Sequence, residues 1–80
     1  MHWNNRVLWD GEEYWVGEVY YQEDCSIYMW TSKESDPVGA WGDFIDLNNC
    51  VHYVVGALDK PVLDVRDPKN VKEIDLAGET

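Results

Sequence analysis

The apolar residues of this chain change their spacing once, and that change limits the folds open to it. Before residue 32 they come in short β-prone runs: NNRVLW at 4–9, YWVGEVYY at 14–21 and IYMWT at 27–31. After residue 42, Phe44, Leu47, Val51, Val54 and Leu58 recur at intervals of 3, 4, 3 and 4, which is one face of a helix. Asp10-Gly11-Glu12-Glu13 is a strong hairpin signal between the first two runs, and QEDCS at 22–26 turns the chain again. Three runs so tightly joined predict an antiparallel meander. SKESDPVGAWG at 32–42 holds Pro37, Gly39 and Gly42 and reads as a loop. Asp43 is the expected N-cap, with Asp46 three residues on as a weak capping box, and Pro61 stops the helix near Leu58 or Asp59. VLDV at 62–65 predicts a short edge strand. Beyond it the chain is polar and broken by Pro68, so Val71, Ile74 and Leu76 predict no more than a loose turn of helix or a frayed end. The expected fold is therefore α+β: a three-stranded antiparallel β-meander with one α-helix packed across it, forming a single β-β-β-α domain over 1–65, then a loosely ordered C-terminal tail over 66–80.

The second run decides which sheet face the helix covers. Its side chains divide into Trp15, Gly17, Val19, Tyr21 and Tyr14, Val16, Glu18, Tyr20. A buried Glu18 is costly and Gly17 leaves room for a close helix, so the first set is expected beneath the helix. The second set then forms an aromatic, acidic outer face, covered in part by the tail or used as a protein-binding surface. The helix is itself apolar around much of its girdle, through Cys50, His52, Tyr53 and Val55. It calls for a second cover, either the tail or another subunit in a homodimer through the apolar helix.

Charge narrows the partners. Sixteen acids against six bases give a net charge of −10. Residues 1–59 hold eleven of the acids against Arg6 and Lys33 alone, a net −9, so the anionic character belongs to the folded body and not to a tail. Such a surface repels nucleic acid and anionic membranes. No apolar run approaches the roughly 20 residues that span a bilayer, and MHWNNRVLWD lacks a signal core, which predicts a soluble cytoplasmic chain.

No residue set suggests a reaction. Cys50 and His52 lie two apart, so on a helix they point about 200° away from each other and cannot pair. Cys25 and Cys50 match no zinc spacing, and His2 and His52 belong to no ligand cluster. The acidic turns lack the oxygen spacing of a calcium loop, the chain has no Gly-rich phosphate loop, and paired carboxylates in solvated turns imply no cleft. The expectation is a non-enzyme with no cofactor, no metal site, and both thiols reduced and structural.

WNNRVLW, EVYY followed by an acidic turn, and ALDKPVL together resemble a family of short, uncharacterised bacterial and phage proteins. The likeness covers about residues 2–65. It implies three antiparallel strands and one helix, and it carries over no catalytic residues. This chain departs from the pattern at Asn5, where the family has tyrosine, and at Cys25, where the family has the turn glycine. The strand-strand-strand-helix order is also similar to that of small antitoxins of the HicB type, at the level of fold alone.

Two functional expectations follow. In the first, the chain is a phage- or mobile-element-encoded inhibitor, of anti-CRISPR or DNA-mimic type, acting in the cytoplasm of a bacterial host. It presents Asp10, Glu12, Glu13, Glu18, Glu23 and Asp24 to the basic, nucleic-acid-binding surface of a host protein or nucleoprotein complex. In the second, it is an antitoxin-like or regulatory module that binds protein through Tyr14 and Tyr20. Neutralising the acids is expected to leave stability almost unchanged, because they lie in turns or on the outer face. The plainest reading of the charge is solubility.

Overall fold

The structure is a computed structural model, and it describes residues 2–74. β1 (His2–Trp9) and β2 (Tyr14–Tyr21) form a full-length antiparallel hairpin, from Trp9 opposite Tyr14 to His2 opposite Tyr21. β3 (Ile27–Trp30) adds to the far side of β2. The expected meander is therefore present, as three of the five strands of a larger sheet. β4 (Val62–Asp64) pairs in parallel with β1, and β5 (Lys72–Ile74) pairs antiparallel with β4. The strand order is β3-β2-β1-β4-β5, a mixed five-stranded sheet.

Two expectations are corrected here. VLDV does not supply an edge strand: β4 lies inside the sheet, because Val62, Leu63 and Val65 are buried and need cover on both sides. The segment expected as a tail from residue 66 contains β5, and Val71 packs on the core. The part of that expectation that concerns Leu76 and residues 75–80 lies outside the described residues. A parallel neighbour for β1 requires a long crossover, which the loop and helix between β3 and β4 provide.

α1 (Phe44–Val55) begins at Asp43, whose side chain accepts a hydrogen bond from Ile45 N, and runs on into a 3-10 turn at Gly56–Asp59 before Pro61. Cap and stop fall where the sequence put them, but the faces do not. The core consists of Leu8, Val19, Tyr21, Leu63 and Val65, with Trp15, Ile27, Trp30 and Val71 packed against it. Ile27 and Val71 come from opposite ends of the sheet, so the sheet curls over this face and buries it without the helix. A Cβ at Gly17 would stand 2.9 Å from Leu8 Cδ1 and from Thr31 Oγ1, and 3.2 Å from Trp15 Nε1. The space read as room for a helix is filled by the sheet's own side chains. Arg6, on the same face, is buried and clips the pieces together, donating to Pro61 O at 2.8 Å and Tyr21 Oη at 3.3 Å, and meeting Glu73 at 3.4 Å.

The helix lies on the other face. His52, Tyr53 and Gly56 line one groove with Trp3 and Asn5, whose cross-strand partners are Tyr20 and Glu18. The helical stripe is corrected as well. Leu47, Cys50 and Val54 are half-buried and Ala57 fully buried, at intervals of 3, 4 and 3. Phe44 is 77% exposed, Val51 38% and Leu58 70%. The inward residues include the small ones, which let the helix approach a sheet face that is polar at Asn5 and Glu18.

The β2–β3 turn places Cys25 where a glycine is favoured. Cys25 N donates to Gln22 O and Gln22 N to Ser26 O, and Cys25 itself sits at φ 69°, in the left-handed region. This is a three-residue hairpin loop whose last residue favours glycine. Cys25→Gly should stabilise the fold by about 0.5–1 kcal/mol, raising Tm by roughly 2–8 °C. A lower Tm in a thermal melt would show that the side chain, and not the backbone, governs this turn.

Candidate protein-binding surface

The two acidic turns lie at opposite ends of β2, roughly 25 Å apart for eight residues at about 3.3 Å each. They differ in how their charge is held. In the first, Asp10 Oδ1 accepts from Glu12 N at 2.9 Å and Glu13 N at 2.8 Å, and Gly11 takes a positive φ of 100°. Lys33 reaches in from the loop after β3 and pairs with Asp10 at 3.0 Å and Glu13 at 2.9 Å. Those backbone donors, and then Lys33, hold the Asp10 carboxyl down at about 2, while the two carboxylates raise Lys33. Nearby, Arg66 pairs with Asp64 at 2.8 Å, lies over the Trp9 ring at 4.5 Å and runs alongside Gly11. Of the three acids expected to act at this tip, Glu12 alone has no cation paired with it among the described residues.

In the second turn, Asp24 Oδ1 accepts from Ser26 N and Ser26 Oγ, which lowers its pKa. Glu23 makes no ion pair among the described residues. With Gln22 and Tyr28 these two acids line an open hollow of about 570 Å³. The expectation that neutralisation leaves stability untouched is thus corrected at Asp10 and Asp24, which build the turns they sit in.

Glu18 lies between the tips on β2, half-buried, and accepts a hydrogen bond from Tyr20 Oη that raises the Tyr20 pKa. Tyr14 is exposed and stacks on Trp9 with centroids 6.0 Å apart, while Tyr20 meets Trp3 at 6.3 Å. The structure therefore joins Glu18 to Tyr20 and Asp10 to Glu13, and it keeps the two tips separate. Over the described residues, Asp10, Glu13, Asp64 and Glu73 are ion-paired, and the other ten carboxylates have no cation within salt-bridge reach.

One feature was not visible in the sequence. Trp3, Asn5, His52, Tyr53, Gly56 and Lys60 line a groove of about 500 Å³ between the helix and the sheet. Asn5 is 7% exposed, a buried polar side chain beneath the groove. The one available signal was an asparagine inside a β-prone run. Among the described residues no group of three or more His, Cys, Asp or Glu side chains is placed to hold a metal ion, and no helix is long and apolar enough to cross a membrane. No family model, curated protein or solved structure matches the chain.

The turn geometry gives a test in acid. Asp10 has a folded pKa of about 2 against an ordinary value of 3.8, so its contribution to stability is fully present above 3.8 and is lost as pH falls through about 2. Asp10→Asn should therefore be less stable than the parent above pH 3.8, and the gap should close as pH approaches 2. A gap constant across that window in pH-resolved melts would mean that the charge plays no part in the turn.

Proposed function

We propose that this chain is a small, acidic, non-catalytic inhibitor that occupies a basic nucleic-acid-binding surface of a host defence complex, of CRISPR-effector type, in place of the nucleic acid. The observation that carries the reading is the set of ten carboxylates that have no cationic partner among the described residues, with Glu12 at one hairpin tip and Glu23 and Asp24 at the other. Duplex DNA carries about one charge per 1.7 Å of axis, and a rigid acidic protein that copies part of that array competes for the same groove. A short hairpin with acids fixed at both ends is such a scaffold. The resemblance to short phage proteins supplies the setting, a bacterial host whose defences bind nucleic acid.

A second reading, a regulatory module that binds through the aromatic face, is favoured by the exposed Tyr14 on Trp9. It is weakened at Tyr20, which is half-buried and committed to Glu18. Competition separates the two. If duplex DNA or guide-loaded target displaces the chain from a complex captured out of host lysate, the first reading holds. If nucleic acid and the chain occupy the complex together, the aromatic face becomes the binding site.

A further inference from the structure

The helix carries a second apolar stripe that the fold leaves in water. Beside the inward Leu47, Cys50, Val54 and Ala57 run Phe44, Asn48, Val51, Val55 and Leu58, at intervals of 4, 3, 4 and 3. All five are exposed. This is the spacing of the seam between two packed helices, with one asparagine at a position that in such seams fixes register. Aromatic side chains present roughly 150–250 Å² each and aliphatic ones somewhat less, so Phe44, Val51, Val55 and Leu58 with neighbouring Ile45 leave on the order of 500 Å² uncovered. That is near the upper end of the about 300–600 Å² found for the largest patch on a monomer, and well over half of the roughly 800 Å² that each partner gives to a standard interface.

We infer that this seam is a homodimer interface, covered by the same helix of a second copy across a two-fold axis. Charge selects the occupant. The chain carries −10, yet none of the five stripe residues is charged: Asp46 lies about 160° round the helix, and Asp43 and Asp59 flank the stripe at its two ends. The apolar centre of the stripe offers a basic partner nothing to pair with, and two copies that meet there bring acids near each other only at its ends, Asp43 and Asp59. A two-fold contact needs a self-complementary patch, and one uncharged apolar stripe with a single central amide is self-complementary. The dimer would present both acidic tips in duplicate.

Sedimentation velocity from about 10 to about 300 μM tests this, because dimerisation follows mass action. The parent should move from 9.3 kDa towards twice that mass as concentration rises. Added salt should tighten the dimer by screening the repulsion between two acidic chains, opposite in sign to its effect on binding a basic partner. Val51→Asp should weaken association by about 100-fold or more with circular dichroism unchanged, since the pair buries two facing carboxylates. Should Val51→Asp perturb the fold, Phe44→Gln, at a site 77% exposed, decides in its place. A parent that stays monomeric to the top concentration, or a folded variant that dimerises like the parent, overturns the inference. Neither result would touch the acid-driven reading of function.

Discussion

Leu8→Ala is expected to remove about 2–5 kcal/mol of stability, the usual range for a fully buried leucine. At roughly 0.05–0.15 kcal/mol per residue, a chain of 80 residues holds only about 4–12 kcal/mol in all, so the variant should lose at least 10 °C of Tm or unfold in part at ambient temperature. The reason lies in what surrounds the side chain. Leu8 is 0% exposed, stands opposite Trp15 on β2 and Leu63 on β4, and fills the hollow over Gly17. Through register it joins the hairpin to the crossover strand, so a cavity there weakens both together. A charge at Val51, which the 3–4 spacing alone marks as a core-breaking change, should be mild by comparison in dilute protein. Thermal melts of the two variants at low concentration check both statements. A Leu8→Ala melt that matches the parent, or a Val51→Asp melt far below it, would place the core on the wrong face.

That reversal shows where sequence reasoning stops. The strands of the hairpin, the turn at Asp10-Gly11, the cap at Asp43 and the helix itself were legible, because each rests on local chemistry or on a period sustained over several residues. β4 and β5 are three residues long, too short to carry a period, and their pairing depends on contacts remote in sequence. The buried side of β2, with Trp15, Gly17, Val19 and Tyr21, was legible, but its cover was not, because Gly17 reads equally as room for a helix or as space for Leu8 and Trp15. The face of the helix was undetermined because α1 is apolar nearly all round. What selects Leu47, Cys50, Val54 and Ala57 is close fit to a polar sheet face, which hydrophobic spacing does not encode. At the candidate surface the acids were countable, but Lys33 folding back onto Asp10 and Glu13 was not, since the ion pairs close over about 20 residues of chain.

The structure also sharpens which acids to change. Neutralising Glu12 and Glu13 at one tip, and Glu23 and Asp24 at the other, should weaken partner binding by about 10-fold per tip at 0.1 M salt, mostly through a slower on-rate. Asparagine at position 24 keeps the acceptor that Ser26 needs, so the turn survives while its charge is lost. Glu13→Gln removes one arm of the Lys33 bridge and leaves that lysine paired with Asp10 alone, so the first tip loses a charge that Lys33 already offsets in part. Glu18→Gln should matter less, because that carboxylate is half-buried and already accepts from Tyr20. Raising salt from 0.1 to 1 M shortens the screening length from about 10 to about 3 Å, which should weaken the parent steeply and bring it towards the level of the neutralised variants. Surface plasmon resonance on the captured complex reads both the rate and its salt slope. If the two neutralised tips bind as fast as the parent at low salt, the carboxylates serve solubility, and the exposed Tyr14–Trp9 pair is the next surface to mutate. If only one tip matters, that tip marks the end of β2 that enters the basic groove, and the other remains free to face solvent.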